Sequence, residues 1–164
     1  MYNRDRKIVN DCNWYQFLLR YLLADDAAQY AKAKNLIKDQ HPVLITDVVL
    51  AEAVWTLTGR RYNLDKAAVC VVVHGLIGDG AFIFESSQVI WSSLCDYEET
   101  KTVRGKELDF VDSLIANKSR FFAENNGASL FYFYSFDKAV AQLKSTRKPW
   151  ISAGKGSFYK KRSR

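Results

Sequence analysis

Residues that build metal cages and catalytic relays are scarce in this chain: it holds three cysteines, Cys12, Cys70 and Cys95, and two histidines, His41 and His74, in 164 residues. Three scattered cysteines do not make a paired disulfide framework and fit reduced thiols. There is no CxxC, and the histidines lie far apart, so a structural zinc site has no ligand set. Nothing points to a Ser-His-Asp or Cys-His pair, and both histidines read as ordinary surface or core residues. No apolar run approaches the roughly 20 residues that span a bilayer. Met1 to Lys7 is polar and charged, with no apolar signal-peptide core behind it. The expectation is a protein of the cytoplasm with no membrane partner. No Walker-type glycine loop and no D-x-D-x-T occur, which removes support for a phosphotransfer domain.

Hydrophobic residues make up 48% and aromatic residues 14% of the chain, a globular composition at the size of one domain. The net charge of +6 is unevenly spread. Residues 144–164 hold eight Lys or Arg and no acid, which leaves 16 basic against 18 acidic residues in the remainder. The body is nearly neutral, and the basic character belongs to the end of the chain. The organisation expected is a folded domain over 1–143 and a basic C-terminal tail over 144–164.

Short β-like runs alternate with longer helical ones, a pattern that predicts an α/β domain with a mainly parallel sheet. Lys7 to Cys12 is a short apolar run ending in an acid and reads as the first strand. Phe17 to Ala24 reads as a buried helical segment. Asp25 or Asp26 caps the next helix, with Tyr30, Ala33, Leu36 and Ile37 on one face. Val43 to Ile45 reads as a brief strand, and Thr46 caps a helix that Gly59 ends. Leu64 to Ile77 reads as an apolar helix, Ala81 to Phe84 as a strand, and Ser86 or Ser87 as the start of another helix. A polar loop over Thr100 to Lys106 leads to a long helix, Leu108 to Asn125, closed by Asn126-Gly127. Ser129 to Tyr134 is the clearest strand by composition, an aromatic-rich run of the buried type.

Several acids sit where acids are costly. Asp11 ends an apolar run, Glu52 is the single charge between Val48 and Gly59, Asp109 and Asp112 open an apolar helical stretch, and Asp137 follows the aromatic strand. Each has an ordinary reading as a turn residue, a cap or a solvent-facing group. Together they suggest more, because parallel sheets bind ligands at the carboxyl ends of their strands. Carboxylates gathered at one edge repel unless a cation neutralises them. An all-oxygen set without histidine or thiolate suits a hard ion, Mg²⁺ or Mn²⁺.

The segments FLLRYLLADD (Phe17 to Asp26), ITDVVLAEAVWTL (Ile45 to Leu57), ELDFVDSLIA (Glu107 to Ala116) and YSFDKAVAQL (Tyr134 to Leu143) resemble, in this order and spacing, the PIN-domain ribonucleases, and most closely VapC-type toxins of toxin–antitoxin pairs. The resemblance implies a three-layer α/β/α sandwich around a short, mainly parallel sheet. It implies a Mg²⁺- or Mn²⁺-dependent endoribonuclease acting on structured RNA such as tRNA, paired with a VapB-type antitoxin and forming a homodimer. Residue by residue, it implies catalytic roles for Asp11, Glu52, Asp112 and Asp137, and metal ligation by Asp11, Asp109, Asp112 and Asp137. The alternative is a PIN-like module that has lost cleavage and binds antitoxin or RNA only. Beyond the resemblance, the tail interleaves Lys155, Lys160, Lys161 and Arg162 with Trp150, Phe158 and Tyr159, residues suited to RNA phosphates and base stacking, or to an idle soluble terminus.

Two registers are open at the first acid. Asp11 and Asn13 form the family's D-x-N if three extra residues precede the helix; without that insertion, Trp14 stands where the acid belongs. A three-residue shift along a strand moves a side chain by ~10 Å, so residues 11 and 14 cannot serve one ion from the same strand. With Asp11 as the ligand, Asp11→Ala should abolish metal-dependent RNA cleavage and Trp14→Asp should gain nothing. Cleavage that survives Asp11→Ala would establish the other register.

Overall fold

The computed structural model describes residues 14–39, 42–127 and 132–147. The expected first strand and most of the tail, Lys155, Lys160, Lys161 and Arg162 included, lie outside them. The described chain is mixed α/β and mostly helical.

Helix α1 (Trp14–Leu23) buries Leu18 and Leu19. It ends where Ala24 takes a positive φ of 48°. Of the two candidate caps for α2 (Ala27–Asp39), Asp26 does the work: its Oδ1 accepts from Gln29 N at 2.9 Å. Asp25 instead pairs with Arg20 at 2.8 Å. The expected face of α2 turns inward, with Ala33 and Ile37 buried and Tyr30 stacked beside Tyr21.

Strand β1 (Val43–Ile45) pairs in parallel with β2 (Phe82–Phe84), Val43 opposite Phe82 and Ile45 opposite Phe84. The crossover between them runs through α3 (Asp47–Thr58) and α4 (Lys66–Gly78). Thr46 caps α3 and Asp65 caps α4, accepting from Val49 N and Ala68 N respectively. Gly59 closes α3; a Cβ there would meet the Trp55 carbonyl oxygen at 3.1 Å, closer than side chains ordinarily come. Helix α5 (Ser87–Glu99) then packs along α6 (Phe110–Asn125), the most extensive helix–helix contact among the described residues. Between them the loop doubles back through a Val103–Lys106 bridge, with Arg104 and Gly105 both at positive φ.

The aromatic strand departs from expectation. Its described part, β3 (Phe133–Tyr134), is short, and Tyr134 is 52% exposed rather than buried. Its parallel partner is β4 (Thr146–Arg147), not the β1–β2 pair, so the described strands form two separate two-stranded sheets. A 3-10 turn, Val140–Gln142, joins β3 to β4, and Ala139, Val140 and Leu143 anchor it in the core. Residues 144–147, which the charge pattern assigns to the tail, thus pair back onto the body. The apolar content of the Phe133 region drew it toward a sheet interior, but its hydrogen-bonding partner is a basic segment at the surface.

The core unites α1, α3, α4, α5, α6, β1 and β2 through Leu18, Ile45, Leu50, Leu57, Val73, Phe82, Ile90, Leu94, Phe110 and Leu114. No helix among the described residues is long and apolar enough to cross a membrane. Leu94 is fully buried on α5, so Leu94→Ala should lower the unfolding free energy by about 2–5 kcal/mol, read as a lower urea midpoint.

Candidate functional site

Three of the five acids singled out in the sequence act on one another. Asp109 sits at the start of α6 as its cap, Oδ1 accepting from Val111 N at 2.8 Å. Asp112 follows one turn later on the same helix. Asp137 lies just past β3, where its Oδ1 accepts from Ala139 N at 2.8 Å and its own N–H donates to Ser135 Oγ at 3.0 Å. The remaining Asp137 oxygen accepts from the Lys106 ammonium.

Asp112 is the unusual member. It is half-buried at the rim, and its carboxylate accepts no hydrogen bond among the described residues. Burial pushes its carboxyl above the usual carboxylate range, and the negative charges of Asp109 and Asp137 push it further; Lys106 opposes them. Asp137 moves the other way, held low chiefly by the hydrogen bond from Lys106. An ammonium has therefore neutralised one acid of the group, and the most buried one is left without a counter-ion in contact.

Glu52 lies elsewhere. It is exposed on α3 beside Tyr15, Trp55 and Thr56, and it is not among the charges that act on Asp112. Asp11 lies outside the described residues. Among the described residues no group of three or more His, Cys, Asp or Glu side chains stands close enough together to hold a metal ion. The donors of Asp109, Asp112 and Asp137 are all carboxylate oxygens, the type a hard cation takes; three of the six already accept from Val111 N, Ala139 N and Lys106, while those of Asp112 accept no hydrogen bond among the described residues.

A second acidic group escaped sequence reasoning. Glu85 follows β2 directly and Asp47 lies two residues beyond β1, both at the carboxyl edge of the β1–β2 sheet. Lys118 of α6 bonds both, reaching Glu85 Oε1 at 2.8 Å and also Asp47 Oδ2. Glu85 Oε2 accepts from the Asp47 backbone N–H at 3.3 Å. The Lys118 hydrogen bond holds the Glu85 carboxyl low. Asp47 Oδ1 is buried without a partner among the described residues. An acid stands within two residues of the end of each strand, but Asp47 also fits the first turn of α3, where a carboxylate favours the N-terminal dipole end. Here the lysine makes the pair a clasp tying β1, β2, α3 and α6.

His74 bonds Glu98 at 2.8 Å and packs edge-on against Trp91, a surface role as expected. Cys70 and Cys95 are free, and burial raises both thiols.

A raised carboxyl value means that the folded chain holds that proton more tightly than the unfolded chain does. Asp112 therefore favours the fold at low pH, and the advantage is lost as pH rises through its folded value. Asp112→Asn should raise the Tm by a few degrees at pH 7, with the gain fading below about pH 4, where the native carboxyl is protonated as well. A Tm difference independent of pH, followed by calorimetry, would count against the buried-charge account.

No family model, curated protein or solved structure matches this chain.

Proposed function

We propose that this chain is a metal-dependent endoribonuclease, a PIN-like α/β/α sandwich acting as the toxin of a toxin–antitoxin pair, with a VapB-type antitoxin as its inhibitor and a homodimer as its working form. The observation that carries the reading is Asp112: a half-buried carboxylate with no hydrogen-bond partner among the described residues, in the field of two further carboxylates at the start of α6 and just past β3. Such a charge is costly in the apoprotein and is relieved by a cation. The resemblance in ELDFVDSLIA and YSFDKAVAQL supports the same residues independently of their placement.

In this reading Asp109, Asp112 and Asp137, with Asp11, offer oxygen donors to Mg²⁺ or Mn²⁺. When bound, such an ion supplies activation of water and neutralisation of a phosphodiester. The protein's own part is to hold the donors. The α6 backbone sets Asp109 and Asp112 one turn apart, and the turn after β3 orients Asp137 through Ala139 N–H. Lys106 pairs with Asp137 and would offer a positive charge to a substrate phosphate. The tail cations Lys155, Lys160, Lys161 and Arg162 would add salt-dependent affinity for RNA.

The second reading, a PIN-like module that binds without cleaving, is favoured by one observation: Lys106 already occupies Asp137, and no tight ligand cage is formed among the described residues. Incubation of the full-length protein with total RNA, in Mn²⁺ or in EDTA, separates the two. Cleavage should require the ion, and Asp112→Asn should reduce it by about 100-fold or more with the fold intact by circular dichroism. RNA left whole in Mn²⁺, or cut equally well by Asp112→Asn, would favour the binding module.

A further inference from the structure

The surface that carries Glu52 has a second use. Val48, Glu52 and Trp55 fall on one stripe of α3, and both apolar members face solvent, Val48 at 68% and Trp55 at 55% exposure. Beside them, where α1 meets α3, lies an open recess of about 320 Å³ lined by Tyr15, Glu52, Trp55 and Thr56. The Tyr15 hydroxyl is bonded to Thr56 Oγ1 at 2.8 Å, which pins the tyrosine ring to the wall. Glu52 and Trp55 are three residues apart on a helix, so carboxylate and indole are neighbours. The Glu52 carboxylate makes no hydrogen bond among the described residues, leaving both oxygens open.

We propose that the recess formed by Tyr15, Glu52, Trp55 and Thr56 receives a guanine base of single-stranded RNA, stacked on Trp55 and read at its edge by Glu52. An exposed aromatic face such as that of Trp55 is the ordinary platform for an unpaired base. The carboxylate selects among bases. Guanine presents two adjacent donors, N1–H and the N2 amino group, that match the two carboxylate oxygens. Adenine and cytosine set an acceptor beside their single amino donor, and uracil flanks its N–H with two carbonyls. The negative charge also turns away phosphate, so the recess takes the base and not the backbone. Glu52 thereby acts in substrate selection, apart from the Asp109, Asp112 and Asp137 group. The inference rests on the proposed ribonuclease only in taking RNA as the ligand.

The test needs no cleavage. Titrate the full-length protein, in EDTA, with the four nucleoside 5′-monophosphates by calorimetry. GMP should bind at least about tenfold more tightly than AMP, CMP or UMP. Glu52→Gln should erase that preference. Trp55→Ala should remove GMP binding, while Trp55→Phe, which keeps an aromatic face, retains most of it. Asp112→Asn should leave GMP binding unchanged. Equal binding of all four nucleotides, a GMP preference that survives Glu52→Gln, or competitive displacement of GMP by an arginine-rich peptide at lower concentration than by any nucleotide would overturn the assignment. The last would mark the recess as a seat for a basic protein partner. GMP selectivity in a protein that never cuts RNA would sink the nuclease reading and leave the recess standing. Metal-dependent cleavage without GMP selectivity would do the reverse.

Discussion

Helix α6 packs against α5, α3 and β3, and the seating of its inner face controls most of what surrounds it. Phe110, Val111, Leu114 and Ala116 are buried along that face. So are two polar side chains, Ser113 and Asn117, which need partners there. Ser113 Oγ donates to the Ser93 carbonyl at 2.9 Å, and Asn117 Nδ2 donates to Asp96 at 2.8 Å, both on α5. Arg120 completes the network by bonding the Asn117 oxygen and approaching Asp96 at 3.9 Å. Apolar packing alone would let two helices slide; these directional bonds select one register between α5 and α6. Once that register is set, Asp112 is held at the rim and Lys118 at the sheet edge.

The same helix meets two acidic problems and answers them differently. At the carboxyl edge of β1 and β2, Lys118 lies between Asp47 and Glu85, so charge balances within the fold. At its own start, Lys106 reaches Asp137 but makes no contact with Asp112. Burial and like charge then leave a carboxyl that holds its proton more tightly than usual. An acid kept this way destabilises the chain at neutral pH. The lysine clasp balances its two acids within the fold, whereas Lys106 only partly offsets the charge of Asp112, which accepts no hydrogen bond among the described residues.

Much of the local structure followed from residue chemistry alone. Asp26, Thr46, Asp65 and Asp109 each cap the helix that follows, because a side-chain oxygen one residue before a helix reaches the free N–H groups of its first turn. The apolar spacing in Tyr30, Ala33, Leu36 and Ile37 predicted the inner face of α2, since a 3.6-residue period admits one buried stripe. The short apolar runs at Val43 and Phe82 were read as strands and are paired in parallel, the long crossover that such a pair needs being supplied by α3 and α4.

What the tertiary structure decided was partnership. Composition marked Ser129 to Tyr134 as a buried strand, yet Tyr134 faces solvent and β3 pairs with Thr146–Arg147, because hydrogen-bond partners distant in sequence leave no periodic trace. The acids Asp109, Asp112 and Asp137 were legible as charges out of place, but only the folded chain shows that these three act on one another and that Glu52 lines a recess with Tyr15, Trp55 and Thr56. Asp47 and Glu85 were visible as residues after strands, and their joint bond to Lys118 was not, since a lysine 33 residues beyond Glu85 carries no sequence mark of the carboxylate it will meet. Local backbone chemistry is written in neighbouring residues; which charge neutralises which is settled only when helices pack.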